Sequence, residues 1–571
     1  MIQQEYERWL QCATEDPDLI PELEAIRGRQ EEIDDRFAVE LEFGTAGLRG
    51  VIGAGTNRMN IYIVRKATQG LANVINRQPG PHSVAISYDS RIKSDAFSRA
   101  AAEVLAANGI TAYIYGELMP VPALSFATRY LHCDAGIMVT ASHNPARYNG
   151  YKAYGPDGCQ MTSEAADAVY SEMQATDTFT GVRHMPFDEG AAAGLIRLIG
   201  DEVKEALYQN IEAQSVRPGI CAAAGLKLVY SPLNGSGNVP VRRVLKDMGV
   251  TNITVVPEQE HPDGHFPTCP YPNPEIRQAL AKGLELAEQS GADLMLATDP
   301  DADRVGIAVR AADGSYRLLT GNEVGVLLLD YLCCARLENG TMPARPVMVK
   351  SIVSTMMADA VAAHYGVQPI NVLTGFKYIG EQIHLLEEKG EEKRFLLGFE
   401  ESYGYLAGTY VRDKDAIVAS MLIVEMASYY VGRGSSLLQR LEELYETYGW
   451  YLNKVESFEF DGLAGMEQMK QLMADLRANA PTVIGGSPVT ALLDYASHTS
   501  TDLTTGKTER IALPAANVLT WRMADGSQVI VRPSGTEPKI KVYYSTLGAS
   551  AQESAAAQRR CAEDVHRLLG R

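Results

Sequence analysis

Residues 84–115 read VAISYDSRIKSDAFSRAAAEVLAANGITAYIY. A short β-rich run at 84–88 is followed by a helical pattern at 94–108 and by a second short strand pattern at 111–115. This alternation predicts parallel strands joined by a helix. The same rhythm returns at 226–256 and at 347–365, so the sequence predicts three α/β units in series.

The chain has 571 residues, which at roughly 150 residues per domain suggests about four domains. Pro/Gly-rich breaks predict boundaries near residues 212, 318 and 452, and therefore domains 1–212, 213–318, 319–452 and 453–571. The last domain combines a helical pattern at 465–478 with strand patterns at 517–522 and 528–531. It is predicted to be a smaller α+β domain.

Charge and composition exclude several classes of function. With 52 Lys+Arg against 71 Asp+Glu, the net charge of -19 has the wrong sign for a nucleic-acid or membrane-surface protein. The eight cysteines form no C-x-x-C pair, which argues against a zinc knuckle or a dithiol redox site and favours free thiols. The sequence shows no secretory signal pattern and no apolar run of membrane-spanning length, so it predicts a cytoplasmic protein.

The motif Thr140-Ala141-Ser142-His143-Asn144-Pro145 follows the apolar strand pattern at 136–139. A serine at a strand end, on a loop stiffened by proline, is placed as an exposed nucleophile would be, and Lys152 is a possible proton acceptor or charge partner. The alternative is that Ser142 and Asn144 only cap a turn.

The motif Asp299-Pro300-Asp301-Ala302-Asp303-Arg304 follows a second apolar run, at 294–297. In an extended segment residues i, i+2 and i+4 point to one side, so the three carboxylates would converge into an oxygen site suited to Mg²⁺. An EF-hand is excluded, because its sixth and twelfth positions would be Arg304 and Arg310. A solvated acidic turn remains the alternative.

Three further segments carry weaker signals. Residues 532–539, RPSGTEPK, combine an arginine, hydroxyls and a glycine as a phosphate cradle does, although a plain turn would read the same way. Glu400 and Ser402, in the segment GFEESYG at 398–404, could both face a polyol, or could cap a helix or turn. The glycine-rich segment FGTAGLRG at 43–50 either only turns tightly or brings Arg49 to an anion.

Taken together and in this order, TASHNP, DPDADR and RPSGTEP resemble the motifs of the α-D-phosphohexomutase superfamily, the phosphoglucomutase/phosphomannomutase family. The resemblance extends from Phe43 to Tyr543. The long N-terminal lead is most similar to the longer branch, which includes bacterial phosphoglucomutases and phosphopentomutase-like enzymes of animals. The resemblance implies a heart-shaped, four-domain protein with three related α/β domains, each with a mixed sheet, and a C-terminal α+β domain.

The resemblance also implies roles for individual residues. Ser142 would carry phosphate, and it would hold Mg²⁺ together with Asp299, Asp301 and Asp303. The other implied catalytic positions are Arg49 and Lys152 beside the phosphoserine, with Lys152 a candidate acid/base, Arg304 on the transferring phosphoryl group, and His143. The implied sugar-binding residues are Glu400 and Ser402, with Thr374, Gly375 and Lys377. The phosphate that does not react would be bound by Arg532, Ser534, Gly535, Thr536 and Lys414.

The implied activity is the reversible interconversion of α-D-glucose 1-phosphate and glucose 6-phosphate. It would proceed through a phosphoserine and a glucose 1,6-bisphosphate intermediate that reorients, and the bisphosphate would also prime the enzyme. The partners would be small sugar phosphates, and the protein a monomer or a dimer. Bifunctional glucose/mannose mutases commonly read Gly-Glu-Met-Ser-Gly-His in the sugar loop, whereas residues 400–404 read EESYG, which looks closer to the glucose-preferring form.

Several alternatives remain open. Phosphomannomutase, phosphopentomutase and glucose-1,6-bisphosphate synthase activities all occur on the same scaffold. A metal-dependent phosphatase could also use a serine and a metal bound by aspartates, although it would typically have several metals and additional histidine ligands. A non-catalytic sugar-phosphate sensor is the third alternative, which the combination of Ser142 with all three aspartates disfavours.

Overall fold

The computed structural model describes residues 2–44, 47–460, 462–534 and 539–570, without the side chains of 462–464. The chain begins with three short helices that the sequence patterns did not predict: α1 (Ile2–Cys12), α2 (Leu19–Ala25) and α3 (Gln30–Phe37). The buried Trp9 packs edge-on against Phe37, Tyr62 and Phe179, with ring centroids 5.3–6.0 Å apart. The N-terminal helices therefore belong to the core of the α/β segment that follows.

The first sheet is mixed and six-stranded, in the order β1-β5-β4-β2-β3-β6. Strands β2, β3, β4 and β6 run parallel, whereas β5 is antiparallel to β4 and to β1. The predicted strands at 84–88 and 111–115 and the helix between them are confirmed as β2, β3 and α5. The elements of this segment are β1 (Gly47–Val51), α4 (Ile61–Ile75), β2 (Ser83–Tyr88), α5 (Ser94–Ala107), β3 (Thr111–Ile114), α6 (Val121–Tyr130), β4 (Ala135–Val139), β5 (Tyr148–Tyr154), α7 (Ser163–Ala175), α8 (Phe187–Ala192), β6 (Ile196–Leu198) and α9 (Asp201–Glu212).

The second sheet is also mixed, with the order β11-β10-β9-β7-β8. Strand β7 is parallel to β8 and β9, while β10 is antiparallel to β9 and β11. The elements are α10 (Ile220–Ala224), β7 (Leu228–Ser231), α11 (Asn238–Asp247), β8 (Ile253–Val255), α12 (Pro257–Glu260), α13 (Ala281–Ser290), β9 (Leu294–Thr298), β10 (Val305–Arg310) and β11 (Tyr316–Leu319).

The third sheet has the order β13-β12-β14-β15, in which β12 and β13 are parallel. It follows a long helix that contains the apolar residues 324–329. The elements are α14 (Gly321–Glu338), β12 (Val347–Ser351), α15 (Met357–His364), β13 (Gln368–Val372), α16 (Phe376–Glu388), β14 (Phe395–Glu400), β15 (Gly404–Leu406), α17 (Ala416–Val431) and α18 (Leu437–Tyr448).

The last segment forms an antiparallel sheet in the order β16-β23-β22-β21-β18-β19-β20, with β17 paired to β18. Apolar residues of α19 and α20 share one core with these strands, which confirms the predicted α+β character. The elements are β16 (Trp450–Glu459), α19 (Gly462–Ala478), β17 (Val483–Ile484), β18 (Ser487–Asp494), β19 (Thr499–Asp502), β20 (Thr508–Arg510), β21 (Leu519–Met523), β22 (Gln528–Pro533), β23 (Lys539–Gly548) and α20 (Ala551–Leu568).

The chain forms two compact units. The first contains residues 1–321, 379–398 and 402–434, and the second contains 322–378, 399–401 and 435–571. None of the helices in the described part of the chain combines the length and the apolar character that crossing a bilayer requires.

The apolar helix α17 in the first unit begins at a buried carboxylate. Asp415 accepts hydrogen bonds from the backbone N–H groups of Ile417 and Val418, at 2.7 and 3.1 Å, and from the Tyr410 hydroxyl, at 2.7 Å. Burial raises the pKa of Asp415 to about 6, against about 3.9 for an unfolded chain. Asp415 is therefore an N-cap whose charge is costly inside the fold.

We expect Asp415→Asn to change how stability depends on pH. Below about pH 4 the Asp415 carboxyl is protonated in both the folded and the unfolded chain, and the wild type has its full stability. Because the folded pKa is raised, stability falls as the pH rises from about 4 through about 6. The loss amounts to about 3 kcal/mol, and the asparagine variant, whose side chain cannot titrate, would not show it. Denaturant unfolding of both proteins from pH 4 to pH 7 measures the difference.

Asparagine keeps an amide oxygen that can cap the same two N–H groups, so a general loss of the helix start is not expected. The stability of the variant relative to that of the wild type should increase as the pH rises. Parallel pH profiles for the two proteins would show that Asp415 does not titrate in this range.

Candidate active site

Two of the predicted motifs lie at the carboxyl ends of buried strands. Strand β4 ends at Val139 and leads into the loop that carries Ser142, whereas β9 ends at Thr298 and leads into the aspartate motif. All five residues of each strand are buried. In an open α/β sheet this edge is the usual place for a binding site, because the polar loops emerge there from an apolar scaffold.

Ser142 is held close to the aspartate motif. Its Oγ donates a hydrogen bond to Asp299 Oδ2 at 3.0 Å and lies 3.3 Å from His143 Nδ1. Its φ of 52° lies in the left-handed region, which is strained for a residue with a side chain. The sequence predicts an exposed serine, but Ser142 is only 7% exposed, because the loop lies against the aspartates.

Burial governs the protonation of His143. Burial and, after it, the charge of Arg304 lower the pKa of His143 well below its ordinary value. The imidazole is therefore neutral near pH 7 and can take part in hydrogen bonds both as donor and as acceptor.

The three aspartates converge as predicted, but not in the predicted way. One ligand oxygen from each of Asp299, Asp301 and Asp303 lies within 4.8 Å of the others, and all three side chains are buried. The segment is a turn rather than an extended strand, since the backbone N–H groups of Asp303 and Arg304 both donate to Asp299 Oδ1. The turn, and not the alternation of a strand, brings the carboxylates together.

The protonation of the aspartates is split. Burial, reinforced by the charges of Asp301 and Asp303, raises the pKa of Asp299 well above its ordinary value. Burial acts in the same direction on Asp303, but Lys414, Lys152 and Arg304 outweigh it and lower the pKa of that carboxyl.

The donor set fits a hard cation. Asp301 Oδ1 and Asp303 Oδ1 are buried and accept no hydrogen bond from any residue that the structure describes. Buried carboxylate oxygens without donors are costly unless a cation binds them. The three aspartates can therefore hold a metal ion through oxygen ligands.

Two lysines surround the aspartates. Lys152 Nζ, on β5, lies 2.9 Å from Asp301 Oδ2 and 3.7 Å from Asp303 Oδ2. Burial lowers the pKa of Lys152, but the two carboxylates outweigh burial and raise it, so the side chain is an ammonium ion. Lys414, which the resemblance groups with the non-reacting phosphate, lies 3.1 Å from Asp303 Oδ2 and 3.0 Å from Asp413 Oδ1.

Two arginines lie near the same loops. Arg304 pairs with Glu275 at 2.6 Å, and its Nε lies 3.7 Å from Asp303 Oδ1. Arg49 is on β1, opposite Gly150 of β5, and its Nη1 lies 3.4 Å from Asn144 Oδ1 of the serine loop. The structure thus brings Arg49, Lys152, Arg304, His143 and Lys414 to the two loops.

The residues that the resemblance assigns to the sugar lie in two places, after β13 and at the end of β14. Glu400 is buried, and its Oε1 accepts a hydrogen bond from the backbone N–H of Gly375 at 2.7 Å. Gly375 has a φ of 122°, which a residue with a side chain rarely adopts. Lys377 Nζ lies 5.1 Å from the centre of the Tyr378 ring. Thr374 precedes this turn and Ser402 follows β14, and both are half-buried.

The predicted phosphate cradle is described in part. Arg532 lies on β22 opposite Lys541 of β23, and the Ser534 N–H donates to the Lys539 carbonyl at 2.7 Å. Gly535 and Thr536 lie outside the described residues.

Sequence reasoning missed the residues that support these groups. Asp413 Oδ2 accepts hydrogen bonds from the Tyr154 hydroxyl at 2.8 Å and from Gln160 Nε2 at 3.2 Å, while its other oxygen contacts Lys414. Asp89 and Arg91 contact the serine loop from the end of β2. Their position after a strand, like that of the aspartate motif after β9, was the available signal.

Comparison with known proteins places the chain in one family. Residues 40–179, 205–314 and 320–448 match the phosphoglucomutase/phosphomannomutase alpha/beta/alpha domains I, II and III respectively. A phosphoglucomutase of Staphylococcus saprophyticus is 37% identical over 517 residues, covering 90% of this chain and 92% of its own. A phosphoglucomutase of Staphylococcus aureus strain MSSA476 is 36% identical over 519 residues, with the same coverage.

Solved structures show the same fold. Parafusin, a phosphoglucomutase of Paramecium in its open form, matches with a TM-score of 0.69 at 16% identity, covering 93% of this chain and 97% of its own. A phosphoglucomutase/phosphomannomutase family protein of Burkholderia thailandensis matches with a TM-score of 0.66 at 18% identity, covering 92% and 97%. These matches confirm the predicted class of three α/β domains followed by a C-terminal α+β domain, whose sheet is antiparallel. The family models and the curated relatives show that the chain belongs to the phosphoglucomutase/phosphomannomutase family of mutases, within the α-D-phosphohexomutase superfamily.

Proposed function

We propose that the protein is a phosphoglucomutase that interconverts α-D-glucose 1-phosphate and glucose 6-phosphate through a phosphoserine at Ser142. The observation that carries the proposal is the contact of Ser142 Oγ with Asp299, at 3.0 Å, inside a cluster of three buried aspartates. A serine beside a cation site is suited to carry a phosphoryl group, whose charge needs neutralisation. The 37% identity with a curated phosphoglucomutase, in an alignment that covers 90% of the chain, supports glucose phosphates as the substrates.

In the proposed reaction, the phosphoryl group on Ser142 passes to the free hydroxyl of a glucose monophosphate, which yields free Ser142 and glucose 1,6-bisphosphate. The bisphosphate turns around and returns its other phosphoryl group to Ser142. No phosphate is lost: the proton of the attacked hydroxyl ends on Ser142 Oγ in the first half, and in the second half the serine proton ends on the sugar oxygen that gives up its phosphoryl group. Glucose 1,6-bisphosphate would therefore also prime any enzyme that has lost its phosphate.

The aspartates would hold Mg²⁺, which when bound would neutralise charge on the phosphoryl oxygens. Lys152 is protonated in its contact with Asp301, so it can donate a proton to a leaving sugar oxygen and offset phosphate charge. Arg304 and Arg49 would bind phosphoryl oxygens through their planar donor groups, and His143 would hydrogen-bond at Ser142 Oγ. Lys414 adds a further positive charge beside Asp303.

We further propose that the remaining motif residues bind the rest of the substrate. Glu400 and Ser402, with Thr374, Gly375 and Lys377, would bind the ring hydroxyls. Arg532, Ser534, Gly535 and Thr536 would bind the phosphate that does not react. Hydrogen bonds to ring hydroxyls and a charged cradle for the second phosphate are the contacts that a reorienting bisphosphate needs in either direction.

The first test is a coupled assay of glucose 1-phosphate conversion to glucose 6-phosphate, with Mg²⁺ and a trace of glucose 1,6-bisphosphate. We expect the wild type to turn over and Ser142→Ala to lose activity on the order of 10⁴-fold or more, because the nucleophile is gone. Alanine, like serine, carries a single Cβ at a φ of 52°, so folding should change little. Ser171→Ala, an exposed serine on α7, is the matched control and should keep full activity.

Unchanged activity in Ser142→Ala would contradict the phosphoserine mechanism. Conversion of mannose 1-phosphate or ribose 1-phosphate with a higher kcat/KM than glucose 1-phosphate would replace glucose as the substrate. Release of inorganic phosphate faster than isomerisation would indicate a phosphatase.

The second test concerns the metal. We expect Asp301→Asn to raise the Mg²⁺ concentration for half-maximal activity at least tenfold, because it replaces a charged ligand with a neutral one. Calorimetric titration of the substrate-free protein with Mg²⁺ should show the same weakening. Asp313→Asn alters an exposed turn between β10 and β11 and is the control. Equal metal affinity in all three proteins would mean that the aspartates do not bind the ion.

A further inference from the structure

Two residues with no assigned role lie at the end of β2, the strand next to β4. The two strands are parallel, and Tyr88 of β2 lies opposite Val139 of β4. The loops that follow them therefore leave the same edge of the sheet side by side. Asp89 and Arg91 are in the first loop, and Ser142 is in the second.

Arg91 binds the serine loop through its backbone. The Arg91 side chain is 0% exposed, and Nη1 donates to the carbonyls of Pro145 and Tyr148, both at 3.0 Å. Nη2 donates to the carbonyls of Ser142 and Asn144. A guanidinium group is the one side chain with enough coplanar donors to reach four carbonyls at once.

Asp89 reaches the same loop from its other side. Its Oδ2 accepts a hydrogen bond from Thr140 Oγ1 at 2.6 Å. Thr140 Oγ1 in turn accepts a hydrogen bond from the Ser142 N–H at 2.8 Å. Its Oδ1 accepts from the Arg91 N–H and from Ser94 Oγ, both at 3.0 Å. The N–H and the carbonyl of Ser142 are thus held by one connected network.

The network stabilises an unfavourable backbone conformation of Ser142. A left-handed backbone brings Cβ of an L-residue close to the carbonyl oxygen that follows, and Ser142 adopts this conformation with a φ of 52°. Arg91 is itself enclosed, because its guanidinium stacks 5.1 Å from the Phe266 ring. Gly264, two residues before Phe266, packs closely against the backbone that follows Arg91: an added Cβ would lie 2.4 Å from the Ile92 nitrogen.

We propose that Asp89 and Arg91 are positioning residues that hold the Ser142 loop in its left-handed conformation and so aim Ser142 Oγ at the aspartates. Neither residue contacts Ser142 Oγ, so both act through the backbone. The kinetic part of this inference rests on the proposed function of Ser142. The conformational part stands on the hydrogen bonds alone.

Arg91→Lys keeps the positive charge but offers a single ammonium group, which cannot bind four separated carbonyls. We expect hydrogen–deuterium exchange of the peptide spanning residues 140–148 to become faster, with other peptides unchanged. We also expect kcat to fall about 10–100-fold, because misplacing a reacting atom by about 1 Å costs this much. KM for glucose 1-phosphate should stay within about twofold, since the variant leaves the sugar-binding residues intact.

Asp89→Asn is the second variant. Its amide oxygen can keep the bonds from Arg91 N–H and Ser94, but the amide group presented to Thr140 can only donate. We expect a smaller effect of the same kind, with kcat about tenfold lower and KM unchanged. Arg99→Lys and Asp95→Asn, two exposed positions on α5, are the matched controls and should match the wild type.

The measurements distinguish this inference from the proposed function. If the wild type shows no mutase activity, the proposed function fails, while faster exchange confined to residues 140–148 in Arg91→Lys would still support the positioning role. Unchanged exchange in both variants would overturn the positioning role. A fall in kcat accompanied by a lower melting temperature, which would indicate global destabilisation, would also overturn it. A rise in KM without a fall in kcat would overturn it as well.

Discussion

Three carboxylates buried within 4.8 Å of one another are the constraint on which the site depends. Even at an effective dielectric constant of 20, each pair of charges at that distance repels by about 3.5 kcal/mol. The fold compensates with cations from distant parts of the chain, Lys152 from β5 and Lys414 from the loop after β15. Asp299 adds to the relief because its raised pKa favours the protonated form. The site can therefore form only when the first unit is fully assembled.

The same constraint bears on the backbone of the serine loop. Ser142 Oγ can reach Asp299 only from a backbone conformation that is itself unfavourable, so the loop needs anchors on both sides. Arg91 and Asp89 provide them at the cost of burying an ion pair, whose members are 3.5 Å apart. Burial lowers the pKa of Arg91 and raises that of Asp89, because both charged groups are removed from water. A buried pair of this kind is better explained by conformational specificity than by stability.

The sequence predicts the fold class well because the signals for it are local. The alternation of strands and helices between residues 84 and 115 is visible in the chain itself, and the family motifs identify the serine and the aspartates. The missed contacts that support the site join residues far apart along the chain. Arg91 binds a carbonyl 51 residues away, and Asp413 meets Tyr154 across 259 residues. The turn in the aspartate motif was also missed, because the period-2 rule for strands brings the same three residues to one side.

The net charge of -19 suggests at first that an anionic substrate would be repelled. At physiological ionic strength, however, charges separated by more than about 8 Å in solvent are largely screened. The surface carboxylates that dominate the total therefore have little effect at these loops. There Arg49 lies 3.4 Å from Asn144, and Arg304 and the two lysines lie 2.9–3.7 Å from the aspartates. Local geometry decides the sign of the field that a phosphate meets. A chain can thus be acidic overall and still present a cluster of positive charge at these loops.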